Sequence, residues 1–107
     1  MASPRTFDAD QMAFLVERYL PPAAADGLQA SVARLARLCA DTGGSGAGVD
    51  YLQSAYLSVE DTCFCLFRAR SAEAVLAINN EAGFAVDRIT GAVLLRIAKR
   101  PATPGLP

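Results

Sequence analysis

The sequence predicts one α+β domain in the order β-α-β-β-α-β, and three observations lead there. Two stretches space their apolar residues as a helix does, and four others carry the apolar, β-branched and aromatic runs of strands. A link of only four residues, Ser58-Val59-Glu60-Asp61, joins the second and third strands, short enough for an antiparallel hairpin. The chain has 107 residues, room for one modest core. Its expected divisions are a loose leader over 1–10, the domain over 11–100 and a frayed tail over 101–107.

The first strand is predicted over 12–20, MAFLVERYL, apolar on both faces until Glu17 and Arg18. Pro21 and Pro22 end it, because proline cannot extend a ladder. Asp26 is expected to cap the first helix, with Gln29 as its capping-box partner. Leu28, Val32, Leu35 and Cys39 form that helix's buried stripe, and Gly43 stops it. The glycine-rich stretch 43–48 reads as a flexible loop. It is no phosphate cradle, because Val49-Asp50-Tyr51 follows where a P-loop needs Lys-Ser/Thr and a helix.

Residues 49–57 and 62–69 form the hairpin strands. Ser71 caps the second helix, Glu73 sits in its first turn, Val75, Ile78 and Ala82 make its stripe, and Gly83 ends it. The apolar run Ala92-Val93-Leu94-Leu95 places the last strand over 92–98. This order is the split βαβ arrangement. It predicts a ferredoxin-like sandwich, a four-stranded antiparallel sheet with two helices on one face. The other face is also apolar and calls for a cover, most simply a second copy of the chain, so a homodimer through the sheet face is expected.

Composition narrows the function. The chain is 52% hydrophobic and 20% charged, with ten basic against eleven acidic residues. A net charge of -1 offers no field for a phosphate backbone, so nucleic acid is not an expected partner. No apolar run approaches the roughly 20 residues of a membrane span. The first residues lack a secretory apolar run, which gives a cytoplasmic expectation. Histidine is absent, removing the commonest general base and metal ligand. Three cysteines, Cys39, Cys63 and Cys65, do not make a disulfide framework. Cys63 and Cys65, about 6.5–7 Å apart along one strand face, are at the edge of disulfide geometry and read as reduced. Zinc and iron–sulfur sites want four such ligands, so the pair is expected to pack as small apolar groups, with no metal and no cofactor.

A few polar residues ask for a reason. Glu17 and Arg18 are adjacent in a strand and must face opposite ways. Asn79 and Asn80 are poor helix formers placed one turn before Gly83, suiting them to fraying or to hydrogen bonding. Asp87-Arg88 reads as a surface ion pair.

Four runs then match a known pattern in order and spacing. They are Phe14-Leu15-Val16-Glu17-Arg18-Tyr19-Leu20-Pro21, Asp61 to Phe67, Ser71-Ala72-Glu73-Ala74-Val75, and Ala82-Gly83-Phe84-Ala85-Val86-Asp87-Arg88-Ile89. Over roughly 12–97 the chain resembles a small ferredoxin-like family of unknown function that includes a nickel-binding protein. The resemblance implies an oligomer with histidine-rich metal sites. Arg18, Asn79 and Phe84 stand where such members carry histidine, and a guanidinium cannot ligate a metal. Imidazole is the ligand that suits nickel, so tight nickel binding is not expected here. Glu17, Cys65 and Asp87 remain at family-like positions. The expected ligand-binding residues are therefore Glu17, Arg18, Cys65, Asn79 and Asp87, in a non-enzymatic homo-oligomer of unassigned role that binds a small ligand or, as the family it resembles does, a metal. The alternative is a dimeric α+β barrel enzyme, a cofactor-independent monooxygenase or isomerase, enclosing a small apolar substrate beneath paired sheets.

Overall fold

The computed structural model describes residues 12–41 and 48–95. The leader, most of the glycine loop, residues 96–98 of the expected last strand and the tail lie outside the described residues. The elements are β1 (Met12–Tyr19), α1 (Pro22–Ala25), α2 (Leu28–Ala40), β2 (Asp50–Leu57), β3 (Thr62–Arg68), α3 (Ala72–Glu81) and β4 (Arg88–Val93). The four strands run in the order β2-β3-β1-β4, and every pairing is antiparallel. This is the ferredoxin-like α+β fold.

Two expectations are corrected. The last strand begins at Arg88, not at position 92, and ends at Val93. Its ladder is dictated by β1: Glu17 pairs with Arg88, Val16 with Ile89 and Met12 with Val93, so pairing ends where β1 begins. The apolar run at 92–95 therefore straddles the end of the strand. The second correction concerns Asp26, which does not cap the long helix. Pro22, with its φ already helical, starts a single turn directly after the strand. Asp26 closes that turn in a helical conformation, and an N-cap needs an extended one. Gly27 stands at the start of α2 instead, with no side-chain cap. Ser71 does cap α3, its Oγ accepting from the Ala74 N–H at 3.1 Å.

Register sorts the side chains into two faces. Phe14, Val16 and Arg18 of β1 pair with Phe67, Cys65 and Cys63 of β3, and these six face α2 and α3. The core closes over them with Leu35 and Cys39 of α2 and with Val75, Ile78 and Ala82 of α3. The alternate set, Leu15, Glu17 and Tyr19 with Leu66, Phe64 and Thr62, faces away from the helices. β2 adds an irregularity: a bulge between Tyr51 and Gln53 turns Tyr51 and Ser54, three residues apart, to the helix side. No helix among the described residues is long and apolar enough to cross a membrane.

Candidate functional site

The most unusual side chain on the helix face is Arg18, fully buried at 1% exposure. Burying a guanidinium without partners is costly, and this one is caged by acceptors. Its Nη2 donates to Asn79 Oδ1 at 2.8 Å, and its Nη1 donates to the carbonyls of Ala85 at 2.9 Å and Phe84 at 3.2 Å. The Phe84 ring lies 3.6 Å from the guanidinium carbon, a cation–π stack. Nε alone has no partner. No carboxylate among the described residues pairs with the cation.

The cage follows from how α3 ends. Gly83 adopts a positive φ of 73°, the left-handed position that favours glycine. The Phe84 N–H then bonds the Asn79 carbonyl and the Gly83 N–H the Asn80 carbonyl, each at 3.0 Å, a Schellman close. That wrap folds Phe84 back over the sheet, placing ring and carbonyl on Arg18. Asn79 is oriented from the helix side, because its Nδ2 donates to the Val75 carbonyl at 2.8 Å and leaves Oδ1 facing the cation. Asn80 is exposed.

Arg18 and Asn79 are thus brought together across 61 positions of sequence. The other expected residues are not in that centre. Glu17 faces away from the helices, 3.8 Å from Arg88 Nε, so Arg88 pairs with Glu17 and not with its neighbour Asp87. Asp87 works at the mouth of the β1–β4 ladder. Its carboxylate accepts from the Tyr19 N–H, and its own N–H donates to the Glu17 carbonyl at 2.9 Å.

Cys65 belongs to a second polar group on the helix side. Tyr51 Oη and Ser54 Oγ share a hydrogen bond of 2.7 Å, Ser54 Oγ donates to Cys65 Sγ at 2.9 Å, and Cys65 Sγ lies 3.9 Å from Cys63 Sγ. Cys63 is paired across the strands with Arg18, so the two groups adjoin. Burial first, then the neighbouring Cys65 sulfur, push the Cys63 thiol up to about 12, and the Arg18 cation opposes the shift. A cleft of about 320 Å³ between α2 and β2 leads to Cys63, and Leu28, Gln29, Val32, Tyr51 and Tyr56 are among its other lining residues. Tyr51 and Ser54 were missed in the sequence because the β2 bulge, which has no sequence signature, turns both toward the cysteines, which were expected only to pack as small apolar groups. Phe84 was readable in principle, as a large apolar residue directly after a helix-ending glycine.

The model of the family described as "Nickel responsive protein SCO4226-like" matches residues 14–91. The chain belongs to that family. The crystal structure of SCO4226 from Streptomyces coelicolor A3(2) superposes on it with a TM-score of 0.61, covering 81% of this chain and 99% of that one. At 20% identity that likeness speaks for the fold. No curated protein matches the sequence. The family's description raises nickel, and the residues here do not fit it. The chain has no histidine, and the described residues hold no cluster of three or more His, Cys, Asp or Glu that could take a metal.

Proposed function

We propose that this member of the family is a non-catalytic, cytoplasmic binding protein. It works as a homodimer joined through the open sheet face and takes its ligand through the cleft under α2. The observation that carries this reading is the caged Arg18. Its guanidinium, Asn79 and the Phe84 carbonyl satisfy one another, leaving no metal ligand or free base in the one polar centre that α3 and β1 share. Arg18 and Asn79 then act as a fixed wall behind the ligand site, with Cys65 beside it, while Glu17 and Asp87 act at the strand ends. The three cysteines are free, which agrees with a reducing compartment.

The open face supports pairing. Leu15, Phe64 and Leu66 border a shallow hollow of about 240 Å³ there, and Tyr19 and Leu57 lie exposed at one end. The hollow contains no titratable side chain, which favours an interface over the enzyme alternative. Strands about 4.8 Å apart with about 3.3 Å per residue give a face of roughly 440 Å². Two such faces approach the total of about 1,000 Å² that a specific interface needs. A dimer that loosens on dilution is the expected result. The test pairs light scattering with nickel calorimetry on tag-free protein. A dimer at tens of micromolar with nickel affinity weaker than about micromolar is expected from the ligand set. A monomer at that concentration, or a tight stoichiometric nickel site, overturns the reading.

A further inference from the structure

Cys63 and the hydroxyls of Tyr51 and Ser54 line the cleft, and behind them lie the buried Cys65 sulfur and the Arg18 cation, a set that specifies a ligand. We propose that Cys63 and Cys65 form a dithiolate site for a thiophilic monovalent metal ion, copper(I), reached through the cleft between α2 and β2. The inference rests on the binding reading above and names its ligand class.

Geometry comes first. The two sulfurs stand 3.9 Å apart on one face of β3. Metal–sulfur bonds of about 2.3 Å allow two thiolates on one ion to lie up to roughly 4.6 Å apart, so a bent two-sulfur site forms without moving the strand. Cys63 lines the cleft, which gives the ion a route and leaves space for an exogenous third ligand. Soft thiolates select copper(I), whereas zinc asks for four ligands.

Charge decides the valence. Binding breaks two S–H bonds and forms two Cu–S bonds. Both protons go to solvent and no electron changes hands. The product, one monovalent cation on two thiolates, carries a single negative charge. Arg18 stands directly opposite Cys63, buried, with no carboxylate partner among the described residues. Its positive charge balances the product. A divalent ion would leave a neutral complex and an uncompensated guanidinium.

The donor chain supplies the rest. Ser54 Oγ donates to Cys65 Sγ at 2.9 Å and is itself placed by Tyr51 Oη. This contact holds the Cys65 sulfur beside that of Cys63.

The test titrates reduced, tag-free protein with copper(I) under anaerobic conditions, against the chromophoric chelator bathocuproine disulfonate. The wild type and Cys39→Ser should each withdraw one equivalent per chain. Cys63→Ser and Cys65→Ser should lose about tenfold or more in affinity. Should either variant fail to fold, X-ray absorption of the copper-loaded wild type should show a sulfur shell. No copper withdrawn, a nitrogen or oxygen shell, or folded variants that bind as the wild type does would overturn the assignment. Failure of copper binding in a dimeric chain that refuses nickel removes this inference alone. Tight nickel binding removes the reading beneath it and leaves the dependence on Cys63 as a separate result.

Discussion

The two faces of the sheet invert the usual arrangement of polar and apolar groups. On the helix side, Arg18 and Asn79 are buried to 1% and 0% exposure, among valines, leucines and a phenylalanine. On the other side, Leu15, Phe64 and Leu66 are only half buried, and Tyr19 keeps 62% of its surface exposed. One face spends its specificity on fixing a cation, with three acceptors and a ring holding a single side chain. The other leaves apolar surface unfinished, edged by the ion pairs Glu17–Arg88 and Asp50–Arg68. The difference separates what holds the monomer together from what the monomer is built to meet.

The largest expected effect tests the helix face. Arg18→Ala removes the donor to Asn79 Oδ1 and to two carbonyls, leaving buried acceptors unpaired and a cavity beside Phe84. The loss should be about 3–5 kcal/mol, read as a lowered midpoint in urea. An unchanged midpoint would show that the cage contributes no net stability, and the contrast between the faces would lose its energetic side.

A smaller effect is expected on the open face. Phe64→Glu puts a charge beside Glu17 and next to Ala55 in the middle of the proposed interface. Burying it in a dimer without a partner costs about 2–3 kcal/mol, enough to weaken association by roughly 100-fold. The far-ultraviolet circular dichroism should stay that of the wild type while light scattering reports a monomer. A dimer that survives this change pairs elsewhere.

Asn79→Ala sharpens the comparison from within the cage. It removes one acceptor of Arg18 and a poor helix former at once. The net cost should be about 1–2 kcal/mol, below that of Arg18→Ala, because the carbonyls of Phe84 and Ala85 remain. Equal costs for the two variants would mean that Asn79 alone holds the guanidinium.

Much of this contrast was legible in the sequence, and the illegible part has definite causes. The stripes Leu28-Val32-Leu35-Cys39 and Val75-Ile78-Ala82, the cap at Ser71 and the stop at Gly83 all depend on local chemistry and read directly. The start of β4 did not, because a ladder ends where its partner ends, and that depends on the register with β1. Asp26 carried a cap signal that Pro22 overrode by starting a turn four residues earlier. Arg18 and Asn79 stood out singly as misplaced polar residues, but their meeting is a tertiary fact. Glu17 was separable from Arg18 by strand alternation alone, whereas Tyr51 and Ser54 break alternation at a bulge.

The smallest effect at neutral pH belongs to the thiols, and it grows only in alkali. Burial, with a lesser contribution from Asp50, pushes Cys39 up to about 11, and Cys63 stands at about 12, against an ordinary value of 9.0. Between these values the unfolded chain gives up thiol protons that the folded chain retains. Folding is then opposed by the ionisation available to the unfolded state. The thiol contribution is therefore complete below about pH 9 and is lost progressively as pH rises toward 12. Tyr51 and Tyr56 are shifted upward as well, chiefly by desolvation, and push the same way. The difference between wild type and Cys63→Ala isolates one thiol from that background. Its urea midpoint should fall less steeply than that of the wild type above pH 9, with parallel behaviour of the two proteins below it. Parallel curves throughout the alkaline range would mean that Cys63 ionises as readily in the fold as outside it. Its sulfur would then be better hydrated than its full burial implies, and the helix face would be less sealed than the Arg18 cage makes it.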